Sequence, residues 1–313
     1  MMLVILRRLG SGLAVLWLVH LLTFAAVHLM PGDPWADLAG DRTASPAAVE
    51  RIKHLYGLDQ PLVVQYLRDL DDKVHGRFGY SLKIARGQPV IDLLASAAPI
   101  SLSIGCGALL VALILGLSGG MVAAASVKPS RTRGRTADQC MRLMTTLGIG
   151  TPDFILGPLL LLGFSLWLGW FPAGGFEHPS GLVLPILTLA VPLAAQIARL
   201  ARASMLEELG ADFIRTAYAK GADDSRVMYE HALRPACGPV LAYLSTAAAQ
   251  VLTGSMVVEG LFAIPGLGYF FVSGALQQDW PVITGAALVY AALLVAFNLL
   301  ADLGLTWLDP RTR

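Results

Sequence analysis

Ala201–Pro235 reads ARASMLEELGADFIRTAYAKGADDSRVMYEHALRP and is the longest polar interruption between apolar stretches in the second half of the sequence. Arg202, Arg215, Lys220, Arg226 and Arg234 stand against Glu207, Glu208, Asp212, Asp223, Asp224 and Glu230. The signs nearly cancel, so the segment is no simple basic anchor. Its apolar residues recur at helical spacing, Leu206, Leu209, Phe213 and Ala217 on one face; after a break Val227 follows, with the polar Glu230 and His231 three and four residues on. Gly221 suits the left-handed position that ends a helix, and Asp223 suits the N-cap of the next, where its carboxylate meets free amide donors. The pattern predicts two short helices joined by a tight turn and slung between two hydrophobic spans. Such a segment reads as a docking lever.

Working outward, the charges are segregated. Of the 313 residues 55% are apolar and only 14% charged, where a soluble domain carries about a quarter. Leu9–Gly32, Leu93–Val127, Phe154–Phe176, His178–Ala198, Pro235–Val258 and Trp280–Ala301 contain no Asp, Glu, Lys or Arg. Each is long enough for a membrane-spanning helix of roughly 20 residues. The sequence therefore predicts an all-α membrane protein with six transmembrane helices. Gly260–Gln278 is also uncharged, but its glycine, proline and aromatic content predicts an interfacial loop.

The basic residues set the orientation. Arg7 and Arg8 precede the first span, Lys128 to Arg142 lie between the second and third, Arg199 to Arg234 between the fourth and fifth, and Arg311 and Arg313 follow the sixth. The short loops Phe171–Gly181 and Gly260–Trp280 carry neither Lys nor Arg. By the positive-inside rule both termini and 201–235 are cytoplasmic. The chain then divides into an N-terminal anchor helix (1–30), an external, periplasmic insertion (31–98), a five-helix core (99–305) and a cytoplasmic tail (306–313). The first apolar run exceeds a signal-peptide core in length, so it reads as an uncleaved anchor. Cys106, Cys140 and Cys237 have no spacing that suggests a metal site or an external disulfide.

In the external region, Pro46–Tyr56 and Pro61–Val74 read as short amphipathic helices opened by proline. They form either a lid over the span ends or a surface that receives another protein. Gly116, Gly119 and Gly120 in span two read as close helix packing. Span three (about Leu143–Trp170) carries Pro152 and Asp153, the latter near mid-membrane. Asp153 is either an intramembrane carboxylate facing protein or water, or a cap for the helix restarted after Pro152. Span five is the most polar. Gln250, Thr253, Met256 and Glu259 there, with Asp153, are the candidate pathway residues. Near a pathway the carboxylates of Asp153 and Glu259 would favour a cationic solute or a peptide with a free amino terminus.

Several blocks carry a resemblance: His28-Leu-Met-Pro-Gly-Asp-Pro34, Tyr56-Gly-Leu-Asp-Gln-Pro-Leu-Val-Val-Gln-Tyr66, Gly79-Tyr-Ser81 and Arg202-Ala-Ser-Met-Leu206. Further along stand Arg215-Thr-Ala-Tyr-Ala-Lys-Gly221, His231-Ala-Leu-Arg234, Val258-Glu-Gly-Leu-Phe262, Pro265-Gly-Leu-Gly268, Asp279-Trp-Pro-Val282 and Leu308-Asp-Pro-Arg311. Each is weak alone, but in this order they span nearly the whole chain and resemble the first permease subunit of bacterial ABC importers for peptides and for nickel. The resemblance implies a type I importer permease in the bacterial inner membrane. It also implies a second homologous permease, two ATP-binding-cassette ATPases (or one fused) and an external substrate-binding protein as partners. The 201–235 stretch is similar to the family's EAA loop, whose coupling helix sits in a cleft of the ATPase. Asp212, Phe213, Arg215, Thr216, Ala217, Lys220, Gly221, Asp223 and Arg226 are the implied coupling residues. The general Glu-Ala-Ala-x-x-x-Gly motif stands here as Arg215-Thr216-Ala217-x-x-x-Gly221, and Asp153 replaces a small polar residue.

The residues themselves agree with a passive subunit. No G-x-x-x-x-G-K-[ST] occurs, so this chain holds no P-loop; ATP and Mg²⁺ are expected on the partners and no cofactor on this chain. An intramembrane enzyme would need a constellation such as H-E-x-x-H, which is absent, or a G-x-S-x-G elbow between a strand and a helix; Gly116-Leu-Ser-Gly-Gly120 has that spacing but lies within an apolar span with no strand before it. His20 and His28 have no carboxylate nearby in sequence and read as packing residues. An autonomous secondary transporter would show buried paired charges. Near-neutral charge at 201–235 excludes nucleic acid as its partner. The substrate is not written in this chain, because in such importers it is expected to be chosen by the binding protein.

Overall fold

The computed structural model describes residues 2–29, 59–126 and 132–308; the expected helix over Pro46–Tyr56 lies outside them. Long runs of Leu, Ala and Val without a polar face become helices, because in hydrocarbon every backbone amide must find its acceptor within its own segment. The helices are α1 (Met2–Leu29), α2 (Leu62–Val74), α3 (Val90–Ala125), α4 (Thr132–Gly150) and α5 (Asp153–Leu160, prolonged by a π-helical turn over Leu161–Trp167). They continue with α6 (Val183–Leu209), α7 (Asp212–Ala219), α8 (Leu233–Leu261), α9 (Leu267–Gln277) and α10 (Trp280–Leu308). A short helical lead-in, Asp224–Arg226 followed by a π-helical stretch Val227–Ala232, runs into α8. Among the described residues four helices are long and apolar enough to cross a membrane, and the count reaches six if each of two bent pairs forms one span.

Two expectations change here. The single helix expected over span three is broken: α4 and the α5 segment meet at 109°. Pro152 cannot donate to the preceding turn and drives Thr151 out of the helical region, so the ladder stops and restarts at Asp153. The interfacial loop expected over Gly260–Gln278 contains α9, three turns that end on Gln278 in the left-handed conformation (φ 58°).

The chain forms two compact units, Met1–Ile100 with Pro265–Val295, and Ser101–Ile264 with Ala296–Arg313. In the first unit α10 closes on α1 at Gly12, where a Cβ would stand 2.6 Å from Val295 Cγ1. Amphipathic α2 lies on α1: Tyr66 stacks on His20 with centroids 5.2 Å apart and meets Phe24 edge-on at 5.3 Å. Asp69 then reaches to 3.6 Å from Nε2 of the buried His20 and accepts from Lys73 at 3.1 Å. His20 therefore does have a carboxylate neighbour, supplied across the interface between two helices where no local spacing reveals it.

In the second unit α3 and α6 approach through small residues. A Cβ on Gly120 would stand 2.6 Å from that of Ala201 and 2.8 Å from the Ala198 carbonyl oxygen, so only glycine allows the backbones this close. Near the Arg-rich end of α6, Asp138 of α4 accepts from Arg202 Nε at 2.6 Å and from Arg142 Nε at 3.0 Å. This ion-paired cluster ties α4 to the helix that leads into the polar segment.

Candidate coupling surface and transport pathway

The polar segment folds differently from two free helices. Its first quarter, through Leu209, is the last part of α6, and the residues after Asp223 already belong to the lead-in of α8. Between them hangs one short helix, α7. Its phase restarts after the Gly210–Ala211 turn, whose amides bond to the Glu207 and Glu208 carbonyls. With the phase reset, Ile214 and Ala217 point inward, while Phe213 is exposed. Ile214 and Ala217 join Ala124, Met205, Val227, Ala232 and Ala236 in a small apolar core, so α7 rests on a cushion shared by the two helices it connects. Ile214 is the anchor that the unbroken helical count misses.

The end of α7 is a Schellman motif. The Ala222 amide donates to the Ala217 carbonyl at 3.1 Å and the Gly221 amide to the Tyr218 carbonyl at 2.9 Å, with Gly221 at φ 86°. These bonds satisfy carbonyls that the helix end would leave free. Asp223 then caps the next helix, accepting from the Arg226 amide at 3.2 Å and from the Ser225 hydroxyl at 2.6 Å. The Ser225 and Arg226 donors hold the Asp223 carboxyl below the usual carboxylate range. Tyr218 Oη donates to Asp224 Oδ1 at 2.9 Å and braces the turn from outside, a contact that sequence spacing did not suggest.

Of the coupling residues, Asp212, Phe213, Arg215, Thr216, Lys220, Gly221, Asp223 and Arg226 are exposed together on this one segment, and Ala217 alone is buried. Arg215 is paired with Asp212 at 3.4 Å and is 81% exposed, so its guanidinium is available to a partner. The segment thus offers a rigid helix with a mixed-charge outer face and an apolar inner face fixed to two long helices.

The pathway candidates divide. Gln250 is exposed on α8 and its Oε1 accepts from Tyr243 Oη at 3.4 Å. Asp153 comes to the same helix, with Oδ2 3.2 Å from where a Cβ on Gly254 would stand. Met256 is half-buried, and Glu259 is fully buried. Nine residues beyond Gln250, Glu259 falls on the opposite face at 100° per residue. The side chain of Thr253 lies outside the described residues. As for the alternatives at Asp153, Pro152 occupies the N-cap and Asp153 the first helical position of α5. A carboxylate there also sits favourably in the helix dipole.

A further site joins two segments 198 residues apart, so no local spacing reveals it. Asp279, fully buried at the start of α10, accepts from Ser81 Oγ at 2.6 Å and from the amides of Leu82 (3.1 Å), Lys83 (2.9 Å) and Ile84 (3.0 Å). One carboxylate thereby holds the loop between α2 and α3.

With this geometry in place, the comparisons decide the family. Residues 93–313 match the model of the binding-protein-dependent transport system inner membrane component, and residues 1–105 match the model of its N-terminal membrane component. The chain belongs to this family of inner membrane transport components. Belonging to it makes the chain a permease and not an enzyme. The permease is 37% identical over 311 residues to the oligopeptide transport system permease protein OppB of Haemophilus influenzae, covering 99% of this chain and 98% of that one. It is 38% identical over 307 residues to the dipeptide transport system permease protein DppB of Bacillus subtilis, covering 98% and 96%. Among solved structures it resembles the MetNI methionine ABC transporter in an inward-facing conformation, with TM-score 0.57, 17% identity, and coverage of 70% of this chain and 97% of that one. The permease therefore has the type I ABC importer permease fold.

Proposed function

We propose that this permease forms half of the translocation pathway of an ATP-driven peptide importer and is worked from the cytoplasm through α7. In this reading it spans the membrane six times with both termini inside, 31–98 outside, and 99–305 as the core. A second homologous permease completes the pathway, two ATPase subunits bind ATP and Mg²⁺ below, and a substrate-binding protein delivers peptide from above. The observation that carries the proposal is the exposed α7, seated on a core it shares with α6 and the α8 lead-in. A push on such a helix cannot be absorbed locally, so it passes to both long helices as a rigid-body movement. The two ends of the cycle are selected by ligands that bind one state better than the other: ATP below and loaded binding protein above. Peptides are favoured over nickel chelates because the full-length relatives are named for oligopeptide and dipeptide transport.

The test is affinity capture of the tagged permease from membranes, followed by reconstitution of what comes with it. Co-purification of a second permease and ATPase subunits, and ATP-dependent accumulation of labelled di- or oligopeptide in liposomes, is the expected result. Capture without an ATPase, or uptake of nickel chelates but no peptide, would overturn it.

A further inference from the structure

Asp153 is not used by the coupling segment, and its surroundings give it a different task. It opens α5 directly after the sharp break and leans on α8 at Gly254. Gly254 stands one turn beyond Gln250 and so on the same face of the helix. That face is otherwise apolar near its exposed end, where Val257 lies 54% exposed. Tyr243, Gln250 and the Asp153 carboxylate thus form a line of polar groups along one side of α8. The sequence contains no Lys or Arg between Arg142 and Arg199. Among the described residues Asp153 has neither an ion pair nor a hydrogen bond, and it is half-buried. A carboxylate within membrane spans is expensive and persists facing protein or a wet cavity, where a cation can visit it.

Resting on the peptide-import reading, we propose that Asp153 binds the ammonium group of the passing peptide, with the Gln250 amide as its polar neighbour on the pathway. An ammonium offers three donors to a carboxylate in charge-assisted bonds. A half-buried site keeps the contact weak enough to release, which passage requires. The ammonium comes from the peptide's amino terminus or from a lysine side chain, and one experiment distinguishes them.

The complete importer in liposomes, wild type and Asp153→Asn, is given three peptides of equal length: one neutral with a free amino terminus, one N-acetylated with a single lysine, and one N-acetylated and neutral. The readout is the variant-to-wild-type uptake ratio for each peptide, in which the binding protein's own preference cancels. The ratio is expected to fall roughly tenfold further for the free-amino peptide than for the acetylated neutral one. A matching fall for the lysine peptide extends the site to side-chain ammonium, and its absence restricts it to the amino terminus. Asp153→Glu, which keeps the charge, should recover part of the difference. Equal loss for all three peptides would overturn the assignment in favour of a structural role. Loss of the second permease from the purified Asp153→Asn complex would do so in favour of an ion pair between subunits. Failure of the wild type to carry any of the three would instead sink the peptide reading itself.

Discussion

Replacing Gly221 with valine is expected to leave the permease inserted and assembled with its partners, yet to cut ATP-driven uptake by about tenfold or more. The residue ends α7 at φ 86°, a region that costs an ordinary residue roughly 1–2 kcal/mol, and a β-branched one more. Valine would escape that strain by unwinding the turn, which breaks the Ala222-to-Ala217 and Gly221-to-Tyr218 bonds. About 1.4 kcal/mol at the joint already corresponds to a tenfold change in the population of the seated helix. No space restricts the position, since nothing stands within 4 Å of where the Cβ would be. The effect is therefore one of backbone conformation, and Gly221→Asn, which tolerates the left-handed region, should keep most of the activity. Arg215→Glu gives the independent check: it leaves the fold of α7 alone and reverses a charge that is 81% exposed. It should uncouple ATP hydrolysis from uptake without lowering melting temperature. Full transport by both Gly221→Val and Arg215→Glu would remove α7 from the coupling role.

What the sequence revealed about this segment and what it hid follow from the range of the interactions. The Gly221 stop and the Asp223 cap are bonds between residues two to five apart, so residue type and spacing suffice to read them. An unbroken helical count through Gly210 puts Phe213 on the inward face of α7, but a broken helix loses its phase at the break and Ile214 takes that place. The all-helical membrane class was legible because absence of charge over some 20 residues leaves a buried backbone one solution. Pro152 marked where span three yields, but the 109° angle depends on what α5 packs against. The Asp138–Arg202 and His20–Asp69 pairs join helices whose order in space no local pattern encodes. The opposite faces of Gln250 and Glu259, by contrast, follow from their spacing alone, nine residues at 100° each.

The largest loss of stability is expected at Asp279. Asp279→Ala removes the acceptor for the Ser81 hydroxyl and for the amides of Leu82, Lys83 and Ile84 at once. Hydrogen bonds to a charged group contribute about 1.5–3 kcal/mol each, and a buried donor left without an acceptor costs about 1–3 kcal/mol. The bonds share one carboxylate and cannot be added, so a total of about 3–5 kcal/mol is the reasonable expectation. Asp279→Asn should be milder: an amide oxygen in the place of Oδ2 keeps an acceptor for Ser81, Leu82, Lys83 and Ile84, but the charge that strengthens those bonds is lost and the NH2 faces the Leu82 amide. Ser81→Ala should be milder, because the three amides keep their acceptor, although Ala85 loses the hydroxyl its own amide bonds to at 2.9 Å. Thermal melting in detergent ranks the three variants, and amide hydrogen exchange over 82–85 locates the change. The left-handed Gln278 and the bond from the Asp279 amide to the Gly274 carbonyl at 2.8 Å aim the carboxylate before α10 begins. The corner after α9 thus survives the substitution while the loop it held does not. Exchange should rise over 82–85 and stay low through α9. If Asp279→Ala melts like wild type with protection over 82–85 intact, the loop is held by its packing around Leu82 and Trp280 and not by the carboxylate.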